Sequence, residues 1–118
     1  MASFFFDIDG TITVWQTNEL LVGAIELLVK LKQDGHVIII TTKRNSEEKR
    51  KATLQMLNEN KIPYDHILFG VPSPRIIIND RGAGGIHCEK NGDISKIANA
   101  INELLEKFKN VYSKDEEK

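Results

Sequence analysis

Phe4-Phe5-Phe6-Asp7-Ile8-Asp9-Gly10-Thr11 is the stretch whose reading decides the fold. A short apolar run, read as a buried strand over Phe4 to Phe6, stops at two carboxylates in alternation. Successive side chains of an extended chain point to opposite faces, so Asp7 and Asp9 project the same way from the strand's carboxyl end. Gly10 follows, where the backbone can turn sharply without a Cβ penalty. Two like charges held side by side are costly, and a fold that builds such a pair usually neutralises it with a metal or a shared proton.

Outward from that stretch, strands and helices alternate. Thr11 to Asn18 read as a polar connection carrying Trp15. Glu19 to Gln33 place Leu20, Leu21, Ala24, Leu27, Leu28 and Leu31 on one face at helical spacing, and Gly35 is a natural left-handed stop. His36 to Ile40 is the β-branched run of a strand buried on both faces. It ends in the donor-rich Thr41-Thr42-Lys43-Arg44-Asn45. Ser46 stands at an N-cap, with Glu47 and Glu48 in the first turn of a helix reaching about Asn60 and burying Ala52, Met56 and Leu57. A short strand over His66 to Phe69 follows, then a rigid turn with Pro72 and Pro74. The β-branched Arg75 to Ile78 ends in Asn79-Asp80-Arg81-Gly82, and Ala83-Gly84-Gly85 read as a mobile or tight turn. Ile86 to Cys88 suit a short edge strand. Asp93 caps a last helix to Phe108, with Ile94, Ile97, Ala98, Ile101, Leu104, Leu105 and Phe108 inward.

This pattern argues for α/β architecture: a single Rossmann-like domain with an open, mostly parallel sheet flanked by helices. The domain spans residues 1–112, and the charged stretch 113–118 is expected to be a disordered tail. In such sheets ligands bind beyond the carboxyl ends of the strands. Asp7/Asp9, Thr41/Thr42 and Asn79/Asp80 each follow an apolar run directly, so all three clusters are expected on one rim.

Composition narrows the function classes. The 118 residues carry a formal net charge of −1, with 41% apolar and 28% charged residues. No general attraction to nucleic acid or anionic membrane follows, so phosphate recognition must be local. The single Cys88 excludes an internal disulfide and a cysteine-based zinc cluster, and its apolar setting reads as a packed thiol. No run approaches the ~20 apolar residues of a membrane span. The start lacks a basic n-region, and a cytoplasmic setting is expected. His36, His66 and His87 flank or sit in apolar strands without metal-ligand spacing and read as structural. Lys49, Arg50 and Lys51 read as a solvated helix face.

On Asp7-Ile8-Asp9-Gly10-Thr11, Thr41 after the second strand, and Asn79-Asp80 after a later apolar run, the chain resembles the haloacid dehalogenase (HAD) superfamily of phosphohydrolases. With equal residue frequencies, Asp-x-Asp-Gly-Thr arises by chance in about one chain in a thousand of this length. The resemblance implies Asp7 as nucleophile, forming an aspartyl-phosphate. Asp9 would be the acid that protonates the leaving oxygen and the base that then activates water. Magnesium would be bound by Asp7, the Asp9 carbonyl and Asp80. Thr41 would hydrogen-bond a phosphate oxygen, with Thr42 as the alternative at one residue of register.

The chain departs from the family pattern in two ways. Many relatives carry a lysine before the proline ahead of the last acidic strand, where this chain has Gly70-Val71-Pro72. The replacement cation is sought first in Arg75, then in Lys43 or Arg44. The chain also has no room for a cap domain between its motifs, so Trp15 or a neighbouring subunit would have to cover the site. The function implied is a magnesium-dependent phosphomonoesterase. Its substrate would be a small phosphorylated metabolite, a sugar phosphate or nucleotide, or an accessible phosphate on a larger molecule. The alternative is a catalytically weak, HAD-like phosphate-binding or regulatory module. Homo-oligomerisation stays open, and neither membrane nor nucleic acid is expected as a partner.

Overall fold

The phenylalanine run is a strand, and its neighbours in the sheet are parallel to it. In the computed structural model β1 (Ser3–Asp7), β2 (Val37–Thr41) and β3 (His66–Leu68) form one three-stranded sheet in the order β1-β2-β3. The register pairs Phe6 with Ile40 and Asp7 with Thr41, and then Thr41 with Leu68. The helices are α1 (Ala24–Gln33), α2 (Glu47–Glu59) and α3 (Ile94–Glu116). Residues 1–80, 82 and 84–116 are described, the last seven of them by backbone alone. The chain is thus a small α/β unit on an open parallel sheet. Among the described residues no helix is long and apolar enough to cross a membrane.

The core lies on one face of the sheet. Phe6, Ile38 and Ile40 meet Leu28 and Leu31 of α1, Met56 and Leu57 of α2, and Ile94, Ile97 and Ile101 of α3. Those helical positions recur at three and four residues, which is why a single stripe of each helix is apolar. On the opposite face Phe5 and Leu68 are about half exposed. His36 closes the amino end of β2: its Nδ1 accepts the Ala2 N–H at 3.0 Å, and Phe4 meets its ring edge-on. His66 and His87 are exposed.

Several boundaries differ from the sequence reading, each for a local reason. The first helix begins at Ala24 rather than Glu19, because Gly23 takes a left-handed φ of 89° that no helix interior accommodates. Leu20 and Leu21 reach the core from an extended connection instead, with the Leu21 N–H donating to the Ile12 carbonyl at 2.9 Å. In α2 the inward position is Thr53 and not Ala52, since Thr53, Met56 and Leu57 follow the three-four spacing. Gly35 and Ser46 cap as expected: the Gly35 N–H donates to the Lys32 carbonyl, and Ser46 Oγ accepts the Lys49 N–H at 3.2 Å.

The larger difference concerns residues 75–78 and 86–88. Neither segment joins the sheet, and Ile76, Ile77 and Ile78 are 83%, 66% and 91% exposed. β-branched residues favour strands only where a pleated, half-buried surface receives them. Here the side chain of Arg75, not the backbone of the run, attaches the segment to β1. Ile86 and Cys88 pack against the core without a ladder, and the Cys88 thiol lies 3.7 Å from Thr11 Oγ1. The tail expected from residue 113 is helical as far as Glu116; residues 117 and 118 lie outside the described residues, as do Arg81 and Ala83 of the expected turn.

Candidate functional site

The turn after β1 is wound around one carbonyl. Ile8 O accepts the N–H groups of Thr11, Ile12 and Thr13 at 3.1, 2.9 and 3.1 Å, while Gly10 holds φ at 82° and donates to Thr13 O. A residue with a Cβ is strained at that φ. Ile8 is buried completely, and Asp7 and Asp9 on either side of it face an open cleft of about 930 Å³.

Each carboxylate meets its own guanidinium. Arg44 grips Asp9 with two parallel bonds, Nε to Oδ2 at 3.1 Å and Nη2 to Oδ1 at 2.8 Å. Its remaining donors reach Asn18 Oδ1 at 2.6 Å, Thr53 Oγ1 at 2.9 Å and the Thr17 carbonyl at 2.7 Å. One side chain thereby ties the first loop, the turn after β1 and α2 together. A planar fork matching a carboxylate is the strong form of such a pair.

Arg75 serves Asp7. Its Nη1 donates to Asp7 Oδ1 at 3.1 Å, and its Nη2 donates to the Val71 carbonyl at 3.0 Å. Val71, where the resemblance led a lysine to be expected, therefore supplies a main-chain oxygen that steers an arginine. The segment that carries Arg75 is fixed at its base: the Gly70 N–H donates to Arg44 O, and the Val71 N–H donates to Thr42 O, both at 2.9 Å. Gly70 has φ 72°, and a Cβ there would lie 2.8 Å from Asn45 Cγ.

Lys43 and Lys49 also line the cleft. Neither ammonium is paired with a carboxylate among the described residues. Four cations thus face two carboxylates, on a chain whose formal charge is −1. The surplus equals the charge of one phosphate dianion.

The structure brings together Asp7, Asp9, Trp15, Lys43, Arg44 and Arg75, and leaves Thr41, Thr42 and Asp80 outside the cleft lining. Thr41 is buried, its hydroxyl directed at Phe6 O over a long 3.5 Å. Thr42 is buried completely, and its Oγ1 accepts the Arg44 N–H at 3.1 Å. Neither lines the cleft. Asp80 is exposed, and among the described residues no three His, Cys, Asp or Glu side chains are grouped to hold a metal ion. Asp80 does not line the cleft, so Asp7, Asp9 and Asp80 form no such group as placed.

Sequence reasoning missed Lys49, which lines the cleft from the first turn of α2. It also weighed Arg44 as a phosphate cation rather than as the clamp on Asp9. The signal for Lys49 was its position one turn from the Ser46 cap, at the end of the helix that faces the rim. Arg44 carried no comparable signal, because its carboxylate partner lies 35 residues away.

No family model matches the chain, and the search of curated proteins finds no match. A crystal structure of a Vibrio cholerae structural-genomics target is similar, with 28% sequence identity and a TM-score of 0.57 over 91% of this chain and 98% of the other. The likeness spans nearly the whole of both chains and indicates a shared overall α/β fold.

Proposed function

We propose that the cleft binds a phosphate monoester and that Asp7 is the nucleophile of its hydrolysis, on a capless, Rossmann-like domain of the HAD type. The observation that carries this reading is the Asp7–Arg75 pair at the carboxyl end of β1, set in a cleft with two positive charges in excess. A carboxylate attacking a phosphate dianion is opposed by charge, and a guanidinium beside the nucleophile offsets that repulsion. An Asp7 oxygen forms a bond to phosphorus while the ester P–O bond breaks, and the departing oxygen takes a proton from Asp9. Water, deprotonated by Asp9, then attacks phosphorus; the aspartyl P–O bond breaks and inorganic phosphate leaves. Magnesium belongs to the proposal only if Asp80 can be carried to Asp7, and no step above runs through it.

The test is a panel of phosphate esters assayed with and without magnesium, with Asp7→Asn as control. Turnover is expected for at least one ester and is expected to fall by at least about a thousandfold in the variant. Turnover that survives Asp7→Asn would falsify the nucleophile assignment.

A second reading rests on Arg44. Both Asp9 oxygens are occupied by its fork, and Asp80 stands apart, which suits a phosphate-binding module with little or no turnover. Under it, calorimetry detects inorganic phosphate while no ester in the panel is hydrolysed.

A further inference from the structure

The chain has one tryptophan, and it sits at the tip of a turn in the wall of the cleft. Val14 to Thr17 is closed by the Thr17 N–H donating to Val14 O at 3.0 Å. Its third residue, Gln16, takes a left-handed φ of 59°, where glycine or asparagine is the usual choice. A non-glycine residue held in that region is strained, and such strain persists where surrounding structure over-determines it.

That over-determination is visible. The Trp15 N–H donates to Asn91 Oδ1 at 2.7 Å, and the Asn91 N–H donates to Gly10 O at 2.9 Å. Lys90 Nζ stands 4.2 Å from the centroid of the indole, over its face. The ring edge packs so closely on Gly10 that a Cβ there would lie 3.3 Å from Trp15 Cε3. On the other side of the turn Arg44 holds the Thr17 carbonyl and Asn18. The indole is fixed, yet 43% of Trp15 remains exposed. A large aromatic surface held rigid and left wet at a cleft is the feature of a recognition platform.

Lys90 stands over one face of the indole and does not line the cleft, whereas Trp15 itself does. Beside it Gln16 lines the cleft as well, its amide without a hydrogen-bond partner among the described residues. The amide offers both donors and an acceptor to a ring substituent. The cleft of about 930 Å³ far exceeds the room one phosphate group needs.

We propose that Trp15 and Gln16 form a ring subsite, and that the phosphate ester held by this cleft is one of a cyclic compound. The ring, a sugar or a nucleoside, stacks on the indole, and Gln16 hydrogen-bonds its edge. The inference rests on the phosphate-binding reading above and narrows it. It excludes short acyclic esters, phosphoserine and phosphothreonine side chains among them, as the preferred class.

Calorimetric titration of the full chain with inorganic phosphate, glycerol 3-phosphate, a hexose 6-phosphate and a nucleoside 5′-monophosphate tests it. One of the two ring-bearing esters is expected to bind at least about tenfold tighter than the acyclic one, equivalent to ~1.4 kcal/mol. Whichever ring binds tighter identifies the source. That ester is also expected to quench the single tryptophan's fluorescence. Trp15→Ala should collapse the ratio between ring and acyclic ester to within about twofold, and Trp15→Phe should keep part of it. Circular dichroism of both variants checks that they fold, and Gln16→Ala, which removes no ring, should lower the ratio partially. Inorganic phosphate binding with equal affinity for ring and acyclic esters overturns this inference and spares the phosphate site. A preference that persists in Trp15→Ala does the same. Failure of inorganic phosphate and every ester to bind overturns both.

Discussion

The two ends of the sheet treat charge in opposite ways. At the amino end the polar groups close on one another. Asp65 accepts the Ile38 N–H at 2.8 Å and the Lys32 ammonium at 2.9 Å, Lys32 also reaches the His36 carbonyl, and His36 takes the Ala2 N–H. The backbone bond from Ile38, and then Lys32, hold the Asp65 carboxyl below the usual carboxylate range. At the carboxyl end Asp7 and Asp9 are matched by Arg75 and Arg44, yet Lys43 and Lys49 are left over. Internal pairing at one end serves the fold; the surplus charge at the other is what the proposed phosphate site rests on. A parallel sheet invites this division, because its loops carrying function gather beyond the carboxyl ends.

The largest effect that would break the comparison lies in Arg44, the one group of the carboxyl end with both roles. Arg44→Ala leaves Asp9 and the buried Thr53 hydroxyl without their donor, at an expected cost of about 2–4 kcal/mol in urea unfolding. A loss under about 1 kcal/mol would mean that the clamp is no part of the fold. Arg75→Ala should act on the ligand instead, weakening phosphate binding by about 10- to 100-fold, with Arg75→Lys restoring part of it. Unchanged affinity in calorimetry removes Arg75 from the site. Lys49→Ala and Lys43→Ala should each weaken binding by about three- to tenfold at low salt, an effect that shrinks as salt is added. If salt leaves it untouched, these lysines do not supply the surplus field.

The smallest effect belongs to the amino end. Burial holds the His36 imidazole below its ordinary value, helped by the nearby amino terminus and opposed by Asp34. The unfolded chain therefore takes up a proton near pH 6.5 that the folded chain refuses. The stabilisation is complete above that pH and is lost as pH falls through the lower folded value. The thermal midpoint should decline between about pH 7 and pH 5, and His36→Phe should flatten that slope. An identical slope in the variant would place its origin in another group.

The strands and the two aspartates were legible because their signal is local. Three phenylalanines, an alternation of carboxylates and a glycine specify a strand, a face and a turn within eleven residues. Helix faces were equally plain, apart from Leu20 and Leu21, which lie ahead of α1, and the one-residue shift from Ala52 to Thr53, which spacing alone resolves only once Met56 and Leu57 are in place. Arg75 as the cation beside Asp7 followed from its nearness to Val71, although the carbonyl that holds it had no sequence signature. Arg44 was less legible, since a long side chain can reach partners far along the chain. Ile76 to Ile78 misled because β-branching states a preference for a strand without supplying the neighbour that makes one.

Gly70 and Val71 stand side by side at the base of the loop that carries Arg75, and they hold it by different means. At Gly70 any side chain meets Asn45, so a library of random variants selected for function should return glycine there almost alone. At Val71 only main-chain groups are used, the N–H to Thr42 O and the carbonyl to Arg75, so the same library should return a broad spectrum that excludes proline. One position records a constraint of space and its neighbour records almost none, although both serve a single guanidinium.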